Sequence, residues 1–143
     1  MIEAQINIVD RFIETYGGLN ASNIATIESI YTPDIEFVDP LHQIEGIAAL
    51  KRYMELMYSN VDNYSIDIKE KLIGDGSAFL VWEMRFSHPR LNKGKMIEFD
   101  GASQLKFEEK IAYHRDFYDA GQMLYEHLPL LGRAIQIIKN RVK

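Results

Sequence analysis

The stretch FDGASQLKFEEKIAYHRDFYD, residues 99–119, is the part of the sequence that decides the fold. Its residue pattern predicts a strand over 95–107, a tight turn at 108–110 and a last strand over 111–118. Gly101 lies in the middle of the first of these strands, where a glycine predicts a bulge or a sharp bend. Such a bend would help to curl the sheet.

The last strand carries the most distinctive side chains of the chain. The alternation of side chains places His114, Asp116 and Tyr118 on one face of it. A histidine, a carboxylate and a phenol that are buried together can exchange protons, so this face is a candidate catalytic surface in the wall of a pocket. The alternative is a polar face that is solvated, or whose groups are paired with one another.

The residues that precede this strand pair predict helices first and strands afterwards. Apolar residues recur at helical spacing in three segments. These segments are residues 2–16, 22–31 and about 46–58, with a short strand at 35–38 between the second and the third. Two further strands, near 64–68 and over 78–87, are separated by a Gly-Asp-Gly turn typical of a hairpin.

This order predicts one α+β domain that spans residues 1–143. A cone-shaped, curved antiparallel sheet would pack against three N-terminal helices, and residues 120–143 would add a C-terminal helical extension. A cone of this size does not fill its own mouth, so we expect an internal apolar pocket between helices and sheet.

Composition excludes several kinds of site. The chain has no cysteine, which excludes disulfides and thiol nucleophiles, and its four histidines lack the spacing of metal ligands. It contains neither a glycine-rich phosphate loop nor a GxSxG elbow, so we expect no metal and no cofactor. The net charge of −5 argues against nucleic acid, and no signal peptide or membrane-spanning run is visible, which favours a cytoplasmic protein.

Other side chains are candidates for the pocket. Asp39 ends the short strand before a proline, where it would be a turn residue or a carboxylate at the pocket edge whose burial suits it to general-base use. The candidate lining is otherwise aromatic or sulfur-containing, with one hydroxyl, although most of these side chains would serve equally well as core. It consists of Tyr16, Tyr31, Tyr53, Trp82, Met84, Phe99, Ser103 and Tyr118.

Three stretches together carry a family resemblance. They are DRFIETYGGLNASNIATIESIYTPDIEFVDP, IEGIAALKRYMELM and FDGASQLKFEEKIAYHRDFYD. The chain resembles the nuclear-transport-factor-2-like superfamily, in particular its SnoaL-like group, from about residue 4 to about residue 120. The resemblance implies a homodimer formed through the sheet face. It does not imply one activity, because the superfamily includes isomerases, cyclases, hydrolases and proteins without catalysis.

Two groups of enzymes in that superfamily imply roles for particular residues. Asp39 matches the general-base aspartate of ketosteroid isomerases, whereas Phe12 and Ser103 stand at the positions of their oxyanion donors. The motif HRDFYD is similar to the end of the last strand in limonene epoxide hydrolases, where Asp116 matches a catalytic aspartate. Phe37 and Asp39 stand where those hydrolases hold their water-positioning tyrosine and asparagine, and Asp116 also suits the acid/base aspartate of SnoaL-like cyclases.

Three functions therefore compete. The first is a cofactor-independent enzyme for a small, largely apolar ligand, in which Asp39 and Asp116 are opposed acid/base groups assisted by His114. It would be an isomerase, a cyclase or a hydrolase of epoxides. The second is a non-catalytic binder that uses the same pocket. The third is a protein-interaction module with a filled cone and an exposed apolar patch in the C-terminal segment.

Overall fold

A computed structural model describes residues 2–59, 61–123 and 129–142. The helices are α1 (Ile2–Gly17), α2 (Ile47–Tyr58), α3 (Ala120–Met123) and α4 (Pro129–Arg141), with 3₁₀ turns at Ile24–Ser29 and Asn92–Gly94. The strands are β1 (Tyr31–Val38), β2 (Gln43–Glu45), β3 (Asp62–Gly74), β4 (Ser77–Ser87), β5 (Ile97–Phe107) and β6 (Ile111–Tyr118). The predicted α+β class is confirmed.

The strands form one open sheet in the order β2-β1-β6-β5-β4-β3. The predicted antiparallel meander of long strands is confirmed as β3 to β6. The sheet as a whole is mixed, because β1 lies parallel to β6. Short turns force antiparallel pairing on consecutive strands, but β1 and β6 are far apart in the chain, so nothing local constrains their relative direction.

The second helical segment is shorter than its apolar spacing predicts. It is a 3₁₀ helix that ends at Ser29, and Tyr31 begins β1. Tyr31 pairs with Ile111 at the start of β6, and only 1% of its surface is exposed. Pairing with a distant strand thus overrides the local helical preference of this residue.

The core lies between the helices and one face of the sheet, called here the inner face. Along β4, Leu80 and Trp82 point to the inner face and are 0% and 2% exposed, whereas Phe79 and Val81 on the outer face are 44% and 39% exposed. This alternation is typical of a strand with one buried face. Each fully buried side chain of this size contributes about 1.5–3 kcal/mol to folding.

Gly101 makes room for a tryptophan and does not form a bulge. The pairing of β4 with β5 is continuous through Trp82 and Gly101, so of the two predicted alternatives the bulge is wrong and the sharp bend stays a prediction. A Cβ atom on Gly101 would lie 2.6 Å from the Phe117 carbonyl oxygen and 2.6 Å from the Trp82 ring. The absence of a side chain therefore lets the Trp82 ring lie against the backbone of β5.

The C-terminal segment contains the predicted extra helix, α4. The sequence spacing predicts an apolar stripe along this segment, and its Ile138 and Val142 side chains are 61% and 79% exposed. Leu128, in the same predicted stripe, lies outside the described residues. No helix within the described ranges is long and apolar enough to cross a membrane. The assignment of residues 120–143 as an extension of a single domain stays a prediction.

Candidate functional site

Asp116 is the acceptor at the centre of the polar contacts on the inner face. The register of β5 and β6 places Ser103 directly opposite Asp116, and the Ser103 hydroxyl donates to Asp116 Oδ1 at 2.5 Å. Trp82 Nε1 donates to Ser103 Oγ at 2.9 Å. An indole N–H can only donate, so Ser103 accepts from Trp82 and gives its own hydrogen to Asp116. The predicted pocket residues Trp82 and Ser103 thus support the carboxylate.

His114 links Asp116 to two tyrosines from the helical side of the protein. His114 lies two residues before Asp116 on the same strand face, and its Nε2 atom is 2.6 Å from Asp116 Oδ1. Its Nδ1 atom is 2.6 Å from the Tyr31 hydroxyl, which is 2.6 Å from the Tyr16 hydroxyl. The side chains of Tyr16, Tyr31, His114 and Asp116 thus form a continuous series of hydrogen bonds from α1 to β6. This series is called here the buried chain.

Aromatic rings seal this buried chain from water. The imidazole of His114 is 1% exposed, and the rings of Phe12 and Phe37 lie 5.3 and 4.8 Å from it, both edge-on. Asp116, at the end of the buried chain, is less buried than His114, because 20% of its side chain is exposed. The carboxylate is therefore the part of the chain that a ligand can reach.

Asp39 lies at the same end of the sheet as Asp116. Phe37 pairs with His114 across β1 and β6 and contacts its ring, so Asp39 and Asp116, each two residues further along, follow on the inner face. The hydroxyl of Tyr53 donates to Asp39 Oδ2. Burial raises the pKa of Tyr53, and the negative charges of Asp39 and Asp116 both add to that rise. Both carboxylates therefore act on one tyrosine.

The oxygens of Asp39 are already occupied by local donors. Its side chain is 3% exposed, and Oδ1 accepts from the backbone N–H groups of Leu41 at 2.8 Å and His42 at 2.7 Å. This is the Asx turn expected of an aspartate before a proline. The His42 ring nitrogen lies a further 3.4 Å from Oδ1. With the hydroxyl of Tyr53 on Oδ2, the carboxylate holds the end of β1 in place.

The remaining predicted lining residues form an aromatic group on the sheet side of Asp116. The ring of Phe99 lies 5.6 Å from Trp82 and 5.5 Å from Tyr118. Met84 is half-buried and packs against the same group. This group lies beside the Trp82 and Ser103 contacts of Asp116, whereas Tyr16 and Tyr31 lie inside the core and approach Asp116 through His114.

Further tyrosines belong to this region although the sequence analysis did not single them out. Burial raises the pKa of Tyr58 well above its usual value and that of Tyr64 to about 12, and the charge of Asp116 adds to both rises. Burial also raises the pKa of Tyr16 and of Tyr31. These hydroxyls are therefore protonated at neutral pH. The only sequence signal for Tyr58 and Tyr64 is their place at the end of an apolar stripe and the start of an alternating strand.

A groove of about 570 Å³ lies elsewhere, between the end of α1 and the start of β3. Gly17, Asn20, Tyr58 and Tyr64 are among its lining residues, and none of the predicted catalytic or pocket-lining residues is. Across the described ranges, no three histidine or acidic side chains converge as metal ligands would.

The family of the chain follows from residues 9–114, which match the family model described as a SnoaL-like domain. The chain belongs to the SnoaL-like family. The matched residues run from α1 to His114 on β6 and thus include most of the buried chain. The resemblance seen in the sequence is confirmed at the level of the family.

Several solved structures have a fold similar to this one. A nuclear-transport-factor-2-like protein of unknown function from Burkholderia pseudomallei has a TM-score of 0.73 at 11% identity, covering 84% of this chain and 94% of its own. A protein with a ketosteroid isomerase-like fold from Catenulispora acidiphila, in complex with trimethylamine, has a TM-score of 0.71 at 15% identity, with coverages of 85% and 93%.

An epoxide hydrolase of the LEH-like type from M. tuberculosis has a TM-score of 0.67 at 15% identity, covering 85% of this SnoaL-like chain and 82% of its own. At these identities the likeness concerns the fold. A comparison with curated protein sequences finds no match.

The outer face of this SnoaL-like sheet carries an ionic group on β4 and β5. Arg85 donates to Glu83 at 2.6 Å and to Glu98 at 2.9 Å, and 42% of its side chain is exposed. Alternation along β4 thus places this ionic group away from the inner face, on the side opposite Trp82.

Proposed function

We propose that this SnoaL-like protein binds a small, largely apolar ligand beside Asp116 and that Asp116 transfers a proton to or from it. The observation that carries the proposal is the position of Asp116, which ends two buried hydrogen-bonded series and is still partly exposed. The aromatic group of Trp82, Phe99 and Tyr118 would hold the apolar part of the ligand. The reaction requires no cofactor.

The two oxygens of Asp116 have different tasks in this proposal. Oδ1 accepts from Ser103 and lies within hydrogen-bonding distance of His114, so its two lone-pair positions are in use. Within the described part of the chain, no hydrogen bond reaches Oδ2. Oδ2 would remove a proton from a carbon beside a carbonyl group and return it to another atom of the ligand, which is an isomerisation or a cyclisation. With an epoxide, the same oxygen would activate a water molecule.

Asp39 has a supporting task in this scheme. Its oxygens already accept from Tyr53 and from two backbone N–H groups, so a ligand would compete with donors that shape the end of β1. We therefore place proton transfer at Asp116, supported by His114, and assign Asp39 to the shape of the pocket edge.

A non-catalytic binder is the second candidate, and one specific observation favours it. The polar groups of the site bond to one another, as expected of a pocket that only needs to satisfy its buried polar atoms. Binding and turnover therefore need separate measurements.

Ligand binding can be followed through Trp82, the single tryptophan of the chain. We expect its fluorescence to change saturably on titration with small apolar probes such as 1-naphthol or cyclohexene oxide. Tyr118→Ala should weaken this binding about tenfold because it removes an aromatic contact. Asn20→Ala, in the groove at the end of α1, is the matched control and should leave affinity unchanged. If instead Asn20→Ala weakens binding and Tyr118→Ala does not, the ligand site is the groove.

We also propose that the outer face of the sheet binds a second copy of the chain. Its exposed apolar residues adjoin one another across four strands, because Leu72 pairs with Phe79 and Ala102 pairs with both Val81 and Phe117. Leu72, Phe79, Val81 and Phe117 are 74%, 44%, 39% and 42% exposed, respectively. A second copy would cover this strip while its charged border, with Arg85 and Glu98, meets an identical border.

Phe117→Glu tests this assembly. A charge at the β6 end of the strip should convert a dimer into a monomer, as measured by light scattering after size-exclusion chromatography. Ile138→Glu is the control, since Ile138 is an exposed apolar residue on α4 and should leave the dimer intact. If only Ile138→Glu yields a monomer, the helical tail is the interface and the outer face is not.

A further inference from the structure

We infer that Tyr31 is a positioning residue which fixes the imidazole proton of His114 on Nε2, so that every hydrogen of the buried chain points towards Asp116. The inference deepens the proposed function, because it rests on Asp116 as the reacting group. It concerns the direction of the hydrogen bonds, which the distances of 2.6 Å do not by themselves specify.

The donors available at the far end of the buried chain favour one direction for its hydrogen bonds. A tyrosine hydroxyl has one hydrogen to donate, and the hydrogen bond of Tyr16 within the described residues is to Tyr31. If Tyr16 donates to Tyr31, then Tyr31 donates to Nδ1 of His114, and Nε2–H donates to Asp116. In this direction each hydrogen has an acceptor.

The opposite direction leaves one hydrogen without an acceptor. Nδ1–H would donate to Tyr31, and Tyr31 would donate to Tyr16. The hydrogen of Tyr16 would then be buried with no acceptor in the part of the chain that the structure describes. A doubly protonated His114 has the same defect, because it too must donate from Nδ1. A buried hydroxyl that loses its hydrogen bond to water without a replacement is unfavourable, so the first direction prevails.

The sheet side of the site supplies a second donor to the same oxygen of Asp116. The indole of Trp82 can only donate, which obliges Ser103 to donate to Asp116 Oδ1. Two series of donors, one from Trp82 and one from Tyr16, therefore end on the same oxygen. A proton that Asp116 takes up must sit on Oδ2, the oxygen that we assign to the ligand.

Tyr31 is the residue that holds this arrangement, because it alone donates to Nδ1 of His114 in the described chain. Without that hydroxyl the Nδ1 atom has no donor, and the contact of Nε2 with Asp116 is the one remaining polar contact that favours the proton on Nε2 among the described residues. The change would weaken the hold of His114 on Asp116 Oδ1 and leave Ser103 as its other donor. Tyr16 acts one step further away, by making Tyr31 a better-oriented donor.

The test is the ¹⁵N spectrum of the histidine rings in the full chain at neutral pH, with the His114 signals assigned by their loss in His114→Gln. We expect a protonated Nε2 and an unprotonated, hydrogen-bonded Nδ1. In Tyr31→Phe the Nδ1 signal should move to the position of a nitrogen without a donor, or split between two tautomers. Tyr16→Phe should move it in the same direction by less than half as much.

Tyr58→Phe is the matched control, because Tyr58 is also a buried tyrosine but is not hydrogen-bonded to the buried chain. It should leave the His114 signals in place. A wild-type spectrum with the proton on Nδ1, or a Tyr31→Phe spectrum identical to wild type, overturns the inference. If Tyr31→Phe does not fold, the wild-type tautomer and Tyr16→Phe still decide. Neither measurement uses turnover, so a failure of Asp116 as the proton-transfer group is seen separately.

Discussion

Asp116→Asn lowers turnover by about 10²–10⁴-fold, the usual contribution of a general acid or base, while ligand affinity stays within about threefold of wild type. The amide has the size and shape of the carboxylate, and its oxygen can still accept from Ser103 and His114. It loses the basic Oδ2 atom, which is the atom that exchanges the proton. Binding is measured by Trp82 fluorescence, and turnover by product formation from the probes that bind.

Asp100→Asn is the matched control, since Asp100 is an exposed aspartate on the neighbouring strand. It should change neither affinity nor turnover. If Asp116→Asn turns over as fast as wild type, Asp116 is not the proton-transfer group. If wild type binds the probes without converting any of them, and Asp116→Asn binds them equally well, the protein is the non-catalytic binder.

The second large effect is a loss of stability in alkali. An unfolded tyrosine releases its proton near pH 10, whereas burial raises the pKa of Tyr64 to about 12. Between these values the folded chain binds more protons than the unfolded chain, so the free energy of unfolding falls as the pH rises. The contribution of Tyr64, about 3 kcal/mol, is fully present below pH 10 and is lost by about pH 12.

Buried Tyr16, Tyr31 and Tyr58 act in the same direction, because burial raises the pKa of each. The free energy of unfolding should therefore fall more steeply above pH 10 than Tyr64 alone would make it. Urea unfolding is followed by circular dichroism from about pH 8 upwards. It measures the slope of the free energy of unfolding against pH. Tyr64→Phe should make this slope shallower. The control Tyr113→Phe, on the outer face, should not. A stability that stays constant to pH 12 would contradict the prediction.

Much of the fold could be predicted from the sequence, because the spacing of apolar residues and the residue types in turns depend only on residues close together in the chain. The strand Ile111–Tyr118, the hairpin turn before Ser77 and the helix that ends at Tyr58 are confirmed with their residues or within one or two of them. The SnoaL-like family is confirmed as well. Failures occurred where a distant partner decides the local structure. Tyr31 belongs to β1 and pairs with Ile111, although its spacing predicted a helix, and Gly101 accommodates Trp82 without the bulge that was one of the two predicted alternatives.

The sequence predicts which residues form the candidate site. The role of each residue stays a proposal, which the experiments above test. Asp39 and Asp116 were expected to be opposed acid/base groups. The donors around Asp39 led us to propose a supporting role for it, and no sequence pattern reveals those donors. Cytoplasmic location, the homodimer and the identity of the ligand also stay predictions.

The sequence by itself determined which face of the last strand carries His114, Asp116 and Tyr118, since alternation needs only neighbouring residues. The tertiary structure alone decided what each polar atom bonds to. Tyr31 and His114 are 83 residues apart in the chain, and the parallel pairing of β1 with β6 brings them to 2.6 Å. A register shift of one residue would turn these side chains to the other face and leave them unbonded, so the direction of the buried chain depends on sheet packing that no local pattern records.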